Sequence, residues 1–453
     1  MLKENKRTSP AFITDESVYA NSHQNRNPNF CLKTLVTAAN SSLLEMEKSL
    51  LTAINVEVSN HIPDDIVFSI LSKLPLKSLK RFGCVRKSWS LLFDDNCFMT
   101  MFRSNLLTKD HPYYDYTSVF VQTKHGAYYD NYRYRLHSLS GDNIVELDWP
   151  NPFPCPIQEE DNYSPSSSEE EDEESEDNRV PPVTRFLIVG SVSINGTLCL
   201  DNQYSKAELC LWNPTTNEFK VIPSSPILSI PYYRVSPVHA QVGYDHVKDD
   251  YKVIRSMGAF PNPKLPPVYF WDLYSLNSNT WSTIEADVPR SIDNVDVYTD
   301  GVCHWWGERE KHAYLVSFDF SNESFITTLI PSYVDDSDAF NYAVGRTLVL
   351  LNGSIALIVT HSETYMFHIS ILGELGIKDS WTKLFIIGPL PPLWNPIGSA
   401  KKNKILFQNK YGGLALFDLS NKTIEEICVI PNTTFCKTVL HKESDLPIGG
   451  INN

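Results

Sequence analysis

Twelve histidines and nine cysteines are the side chains of this 453-residue sequence best suited to proton transfer, nucleophilic attack or metal ligation. Their spacing organises none of these. His239 and His246 lie in one strand-like segment, His304 sits between Cys303 and Trp305, and His361 and His368 flank another strand pattern. No Gly-x-Ser-x-Gly elbow, paired metal-ligand helix or glycine-rich phosphate loop accompanies them. The cysteines fall at 31, 84, 97, 155, 199, 210, 303, 428 and 436. None forms a C-x-x-C pair, so neither a zinc knuckle nor a dithiol redox site is expected. Cys199, Cys210 and Cys428 sit in apolar runs and read as small buried hydrophobes. An odd count without a framework fits a reducing compartment. The expectation is a chain with no catalytic residues, no metal and no cofactor.

Charge narrows the classes further. The formal net charge is −15, which excludes the basic footprint of a general nucleic-acid binder. Much of it is local, because Glu169 to Asp177 holds eight acidic residues. That run reads as a solvated, disordered insertion. Ser166, Ser167 and Ser168 each have Glu three residues on, so an acidophilic kinase could act there and deepen the negative field. The start, MLKENKRTSP, has no apolar core for a secretory leader, and no apolar run reaches membrane-spanning length. The location expected is cytoplasmic, nuclear or both, with no membrane and no nucleic acid as partner.

The elements that would carry any function fall into two kinds. Residues His61 to Phe98 are spaced for helices. Ile62, Ile66, Ile70 and Leu74 recur every four residues, and Val67 and Leu71 widen the stripe. Pro63 suits a helix start, and Asp64 and Asp65 favour the positive end of its dipole. Pro75 ends that helix. Leu76, Leu79, Phe82, Val85, Trp89, Leu92 and Phe93 then predict two more short helices, the first capped by Ser78. So apolar a piece cannot bury itself alone. Either the rest of the chain covers it or another protein does.

The sequence Ile62-Pro63-Asp64-Asp65, then Ile70 to Leu79, then Cys84-Val85-Arg86-Lys87-Ser88-Trp89 resembles an F-box, with Ile62 in place of the usual Leu before the first Pro. The resemblance implies a partner, a Skp-family adaptor, and through it a cullin–RING ubiquitin ligase. It also implies that Ile62, Pro63, Ile66, Ile70, Leu74, Pro75, Leu79, Val85 and Trp89 line or support the adaptor face, some of them as packing between the helices.

From about residue 115 the apolar period becomes two, broken by Asn, Gly, Asp and Pro turns. One unit repeats: an apolar strand, a polar turn, and a second strand closed by Pro. Clear copies are LCLWNPTTNEFKVIP (209–223), LYSLNSNTWSTI (273–284), LVSFDFSNESFITTLIP (315–331) and LALFDLSNKTIEEICVIP (414–431), with weaker ones at 134–150 and 366–386. The turns centre near 140, 215, 278, 321, 375 and 420. That interval matches a four-stranded propeller blade and predicts about six blades. An irregular β-sandwich is the alternative. Asn195-Gly196 and Asn352-Gly353 read as tight-turn chemistry. LCLWNPTTNEFKVIP, GYDHVKDDYKVIR, LYSLNSNTWSTI, GVCHWW and LVSFDFSNESF in this order resemble the plant F-box-associated interaction domain. Some segments are similar to pollen self-incompatibility F-box proteins. A kelch pattern is not followed, since a Gly-Gly pair in the β region occurs only at Gly412-Gly413.

The fold class expected is therefore α+β and multidomain. The boundaries are a mostly disordered 1–57, a three-helix F-box at 58–105, a propeller-like domain at 106–436 with an acidic disordered insertion at 155–183, and a tail at 437–453. The resemblance implies a non-enzyme: the substrate-recognition subunit of an SCF-type ubiquitin ligase with an unknown protein substrate. A scaffold that degrades nothing and a sugar- or small-ligand-binding propeller are the rivals. Loops on a rigid scaffold usually carry recognition. Segments 231–240 and 259–268 are the loops singled out for substrate, with Tyr232, Tyr233, Arg234, Phe260 and Lys264 as contacts. Trp212, Trp271, Trp281, Trp305, Trp306, Trp381 and Trp394 read either as recognition hot spots or as blade packing. Trp305 and Trp306 are adjacent in a strand, so one is expected in the core and the other at the surface.

Overall fold

A computed structural model describes residues 9–10, 63–108, 118–126, 133–140, 143–150, 186–202, 208–226, 233–261, 268–335, 344–361, 363–390, 394–409, 411–431 and 433–449. The acidic insertion at 155–183 and the N-terminal region up to 57, apart from Ser9 and Pro10, lie outside these residues.

The helical part begins with α1 (Asp64–Leu71), whose N-cap is Pro63. The chain breaks at Leu74-Pro75, and α2 (Leu76–Val85) starts directly behind that proline with no side-chain cap. Ser78 is therefore inside the helix. The preset φ of Pro75, −57°, starts the turn that Ser78 was expected to start. Helix α3 (Lys87–Ser90), a 3-10 turn (Leu91–Asp94) and α4 (Asn96–Thr108) follow. Asp95 Oδ1 accepts from the Phe98 N–H at 2.8 Å, a carboxylate cap on α4.

The remainder is built from four-stranded antiparallel sheets. In chain order they are β5 (Phe186–Ile194) to β8 (Glu218–Ile222); β9 (Tyr233–Asp245), β10 (Asp250–Pro261), β11 (Val268–Ser275) and β12 (Thr280–Ile284); β13 (Arg290–Thr299), β14 (Val302–Arg309), β15 (His312–Asp319) and β16 (Ser324–Leu329); β17 (Val344–Leu351), β18 (Ser354–His361), β19 (Met366–Leu372) and β20 (Trp381–Ile387); and β21 (Trp394–Lys401) to β24 (Thr423–Val429), with the short β1 (Ser9–Pro10) along β24. A further four strands, joined to the β5–β8 sheet by one parallel pairing of Leu440 with Val192, include β2 (Ser118–His125), β3 (Arg133–Ser140) and β4 (Asn143–Leu147) from the start of the domain. The fourth of them is β25 (Thr433–His441), from the end. These are six blades. Their innermost strands, β25, β5, β9, β13, β17 and β21, touch in that order and return to β25. The last strand thus closes the ring against the first blade. Residues 437–441 belong to that strand rather than to a tail, so the propeller runs past the expected end at 436.

The repeat read from the sequence is the hairpin between the third and fourth strands of each blade. Asp319 Oδ1 accepts from the Ser321 and Asn322 N–H groups at 2.9 Å, Asp418 Oδ1 from Ser420 at 2.8 Å, and Asn213 Oδ1 from Thr215 at 3.0 Å. A short side-chain acceptor at the turn entrance is why Asn and Asp recur there. The first-to-second turns include Asn195-Gly196, Asp300-Gly301 and Asn352-Gly353, with φ of 51° and 81°, 50° and 80°, 48° and 76°. Two left-handed residues in succession make the two-residue turn whose twist matches the strands.

Blades stack face to face, so their middle strands are covered on both sides. Trp305 and Trp306 point to opposite faces of β14, and both are buried, each in a different core between blades. The expected exposed partner is therefore absent. Trp212, Trp271 and Trp381 are buried as well, and Trp281 is half-buried with Arg255 against its ring, 3.9 Å from the centroid. Segment 233–240, expected as a loop, is strand: β9 pairs with β10 along its whole length. A register shift at Ser256/Met257 admits Pro237, which has no N–H to give.

Candidate functional site

The helical part and the propeller share one core. Leu71, Leu74, Leu76, Leu79, Phe82, Trp89, Leu92, Phe98, Met99 and Phe102 are continuous with buried residues of the last two blades, among them Ile358, Phe367, Ile369, Phe407 and Phe417. Phe82 and Trp89 meet edge to face at 5.9 Å. Thus the helices and the last two blades together bury Leu71 and Leu74 of the apolar stripe.

That packing sorts the candidate adaptor residues. Leu74, Leu79 and Trp89 are core, buried inside this chain, so they support a face and do not form one. Pro63 and Pro75 are exposed, and Ile70 is half-buried. Ile66 is 44% exposed and Val85 56%. Leu91 and Met101, which periodicity did not single out, are also exposed. Ile62 lies outside the described residues. The exposed apolar side chains of the helical part are therefore Pro63, Ile66, Pro75, Val85, Leu91 and Met101 among those named, on successive helical elements.

Polar groups fix how the helices sit on the propeller. Helix α4 ends with carbonyls that have no partner of their own. Asn352 Nδ2 donates to Leu106 O, Asn403 Nδ2 to Leu107 O at 2.7 Å, and Lys402 Nζ to Thr108 O at 2.9 Å. Asn352 and Asn403 are hydrogen-bonded to each other at 2.9 Å, and both occupy left-handed turn positions, with φ of 48° and 60°. Asparagine suits both tasks: it tolerates that backbone and carries an amide that reaches the helix. On α2, Arg81 holds Glu374 through two bonds, at 2.6 and 3.2 Å, and Lys77 lies 3.3 Å from the same carboxylate. The Arg81 hydrogen bond leads the effects that keep the Glu374 carboxyl below its ordinary range.

These contacts place the helices at one end of the ring. Strands alternate in direction, so first-to-second and third-to-fourth turns share an end, and second-to-third turns lie at the other. The helices touch the turns after β17, β19 and β21. Residues 233–234, 260–261 and 268–269 are at the opposite end. There β9 and β10 bring Arg234 opposite Phe260 and Tyr233 opposite Pro261. Directly paired residues share a face. Arg234 and Phe260 therefore look one way with Tyr269, which pairs with Gly258, while Tyr233 looks the other way. The rings of Phe260 and Tyr269 meet edge to face at 6.3 Å, and Arg290 of β13 lies 5.8 Å from the Tyr269 centroid. A side chain at Gly258 would collide with the Phe260 ring at 2.8 Å, so the bare glycine gives that ring its place. Arg234, Phe260, Tyr269 and Arg290 form an exposed aromatic and cationic cluster at the seam of the third and fourth blades. Tyr269 and Arg290 were missed because the seam joins strands from different repeats. Tyr232 and Lys264 lie outside the described residues.

The titratable groups are set by burial. It raises the Cys199 and Cys303 thiols well above their ordinary value and pushes Cys210 and Cys436 up to about 12, away from the reactive thiolate. Burial also pushes His304 down to about 3 and His441 to about 4, so both are neutral at pH 7. His304 Nδ1 is 2.8 Å from Ser317 Oγ. Among the described residues no group of three metal-ligating side chains occurs, and no helix is long and apolar enough to cross a membrane.

The chain is similar to known proteins over both parts. Residues 60–100 match the F-box domain and residues 160–448 the F-box-associated beta propeller domain. F-box/kelch-repeat protein At3g23880 of Arabidopsis thaliana is 24% identical, over 80% of this chain and 89% of its own length. F-box protein CPR1 of the same plant is 26% identical over 52% of this chain, and the chain spans 62% of that relative. TolB from Acinetobacter baumannii, a solved structure, superposes with a TM-score of 0.38 at 11% identity over 72% of this chain and 67% of its own, too loosely to add to the sheets seen directly. With an F-box seated on one end of a six-bladed ring, this chain belongs to the family of F-box proteins that carry an F-box-associated β-propeller domain.

Proposed function

We propose that this chain is the substrate-recognition subunit of an SCF-type cullin–RING ubiquitin ligase. Pro63, Ile66, Pro75, Val85 and the neighbouring Leu91 and Met101 hold a Skp-family adaptor, while the far end of the propeller holds a protein substrate. The observation that carries this reading is that the F-box packs on one end of the propeller and leaves the other end open. The exposed apolar side chains of the F-box lie at one end, and the Arg234, Phe260, Tyr269 and Arg290 cluster lies at the other. A subunit of this kind contributes proximity and orientation, and the chemistry belongs to the ubiquitin-conjugating enzyme brought by the assembly. Aromatic rings beside arginines suit a peptide with an apolar anchor and acidic neighbours. The site of action is the cytoplasm, the nucleus or both.

The test is affinity capture under proteasome inhibition, comparing the intact chain with an Ile66→Asp, Val85→Asp double variant and a Phe260→Ala, Tyr269→Ala double variant. The reading expects partners that are ubiquitinated with the intact chain. They should be retained but unmodified with the first variant and lost with the second. Partners bound alike and unmodified in every case would instead make this chain a scaffold.

A further inference from the structure

The innermost strands enclose a cavity of about 220 Å³ on the propeller axis. Ser191, Asp296, Thr347, Ser399, Lys437 and Thr438 give it polar walls. The hydrogen bonds of those walls are unevenly spent. Thr347 Oγ1 donates to Pro396 O at 3.2 Å, Ser399 Oγ to Leu350 O at 2.9 Å, and Thr438 Oγ1 to Ile397 O at 3.2 Å. Lys437 Nζ donates to Ile188 O at 3.3 Å. The Thr347, Ser399 and Thr438 hydroxyls have each committed their one proton and keep their oxygen lone pairs. Asp296 is 3% exposed, yet among the described residues no hydrogen bond reaches its Oδ1. The Lys437 ammonium stands 3.8 Å from that oxygen, beyond hydrogen-bonding length. Ser191 Oγ also has no partner among the described residues.

A buried carboxylate oxygen without a donor calls for an occupant that supplies one. Asp296 Oδ1 and the Ser399 and Thr438 oxygens accept, so the occupant must bring O–H or N–H donors, and the uncommitted Ser191 hydroxyl can donate to it in return. Asp296 and Lys437 are the charged side chains of the lining and cancel, so a charged occupant would bring an unbalanced charge into a buried site. The volume exceeds the ~30 Å³ share of a single water several times over. We infer that the channel of this propeller is a binding site for a neutral polyol of monosaccharide size, held through Asp296 Oδ1 and the Ser191, Ser399 and Thr438 oxygens. This site is separate from the adaptor face and from the far-end cluster, and it stands whether or not the chain serves a ligase.

The probes are myo-inositol, D-glucose and D-mannitol, added to the full-length chain and followed by titration calorimetry and thermal melting. Polyols raise melting temperatures without binding, by exclusion from the surface, so the comparison with variants at equal concentration is the readout. Ser191→Leu fills the cavity and removes no hydrogen bond that Ser191 Oγ makes in the structure. Asp296→Asn removes the carboxylate charge. The wild type should give a saturable heat with at least one probe and a melting shift a few degrees beyond that of Ser191→Leu. Asp296→Asn should bind at least tenfold more weakly. Absence of a saturable heat with all three probes, meaning that water alone fills the channel, would overturn the inference. Equal binding by Ser191→Leu would do so too.

Discussion

Replacing Asn352 and Asn403 together by glycine should loosen the F-box from the propeller without unfolding either end of the ring. Glycine keeps the left-handed turns, so the hairpins survive and only the amides are lost. Those amides reach the helix from Asn352 to Leu106 O and from Asn403 to Leu107 O at 2.7 Å, and they tie the turns together from Asn352 to Asn403 at 2.9 Å and from Asn403 to Ser420 Oγ at 3.1 Å. Both residues are buried. At ~1 kcal/mol net for each bond, the two that reach the helix contribute about 2 kcal/mol to holding it on the propeller. The Asn352–Asn403 bond is shared, so the two single losses are not additive. Hydrogen exchange followed by mass spectrometry reads the effect directly. Amides of residues 63–108 should lose ~30-fold in protection, as local opening becomes ~2 kcal/mol easier. Peptides from 268–335 should keep theirs, and adaptor affinity should stay unchanged because Ile66 and Val85 are untouched. Protection in 63–108 that stays within threefold of wild type would refute the assignment of these asparagines as the latch. Equal loss across the propeller would show that they hold blades rather than helices.

Three further outcomes follow from burial. Trp89→Ala should destabilise the F-box by ~3–5 kcal/mol, because the ring is core against Phe82; a urea melt showing less than ~1 kcal/mol would place it at the surface. Lys252→Met should cost ~3–5 kcal/mol, since it strips the 2.7 Å partner from the buried Asp245, and chemical denaturation measures it. Burial pushes Asp245 upward, but the Lys252 bond and the Lys248 and Val247 N–H groups outweigh it and hold the carboxyl at about 2. Its stabilising contribution is therefore present above the ordinary value near 4 and fades as pH falls toward 2. His304 and His441 run through a higher window. Each is a base whose folded value lies below its unfolded 6.5, so the unfolded chain takes up their protons first and stability falls as pH drops below 6.5. At pH 5 each should weaken the fold by ~2 kcal/mol relative to pH 7, and His304→Asn should flatten that part of a stability-versus-pH curve.

Much of the architecture was legible because it is local. The turn centres near 140, 215, 278, 321, 375 and 420 fall in the outer hairpins of the six blades, and Asn213, Asp319 and Asp418 cap three of those turns as acceptors. The helical stripe was legible for the same reason. Closure was not. Strand β25 pairs with β2 across nearly the whole domain, and its channel-facing residues include Lys437 and Thr438, which break the apolar alternation of a strand. Hence residues 437–441 read as a tail. The expectation that one of Trp305 and Trp306 would be exposed failed because one strand's pattern cannot say that a second blade covers its outer face. The far-end segments were found from their Tyr and Pro content. The split of Tyr233 from Arg234 and Phe260, and the addition of Tyr269 and Arg290, needed the register of β9 and β10 and the seam between blades.

The most direct measurement is titration of the full-length chain with a purified Skp-family adaptor, beside the Ile66→Asp, Val85→Asp double variant. The account predicts a 1:1 complex with the wild type. The variant should bind at least tenfold more weakly, because two apolar side chains worth ~1.5–3 kcal/mol each on burial would carry charge into the contact. Its melting temperature should be unchanged, since both positions are exposed. No complex with the wild type, or equal affinity for the variant, would contradict the adaptor face and with it the receptor role.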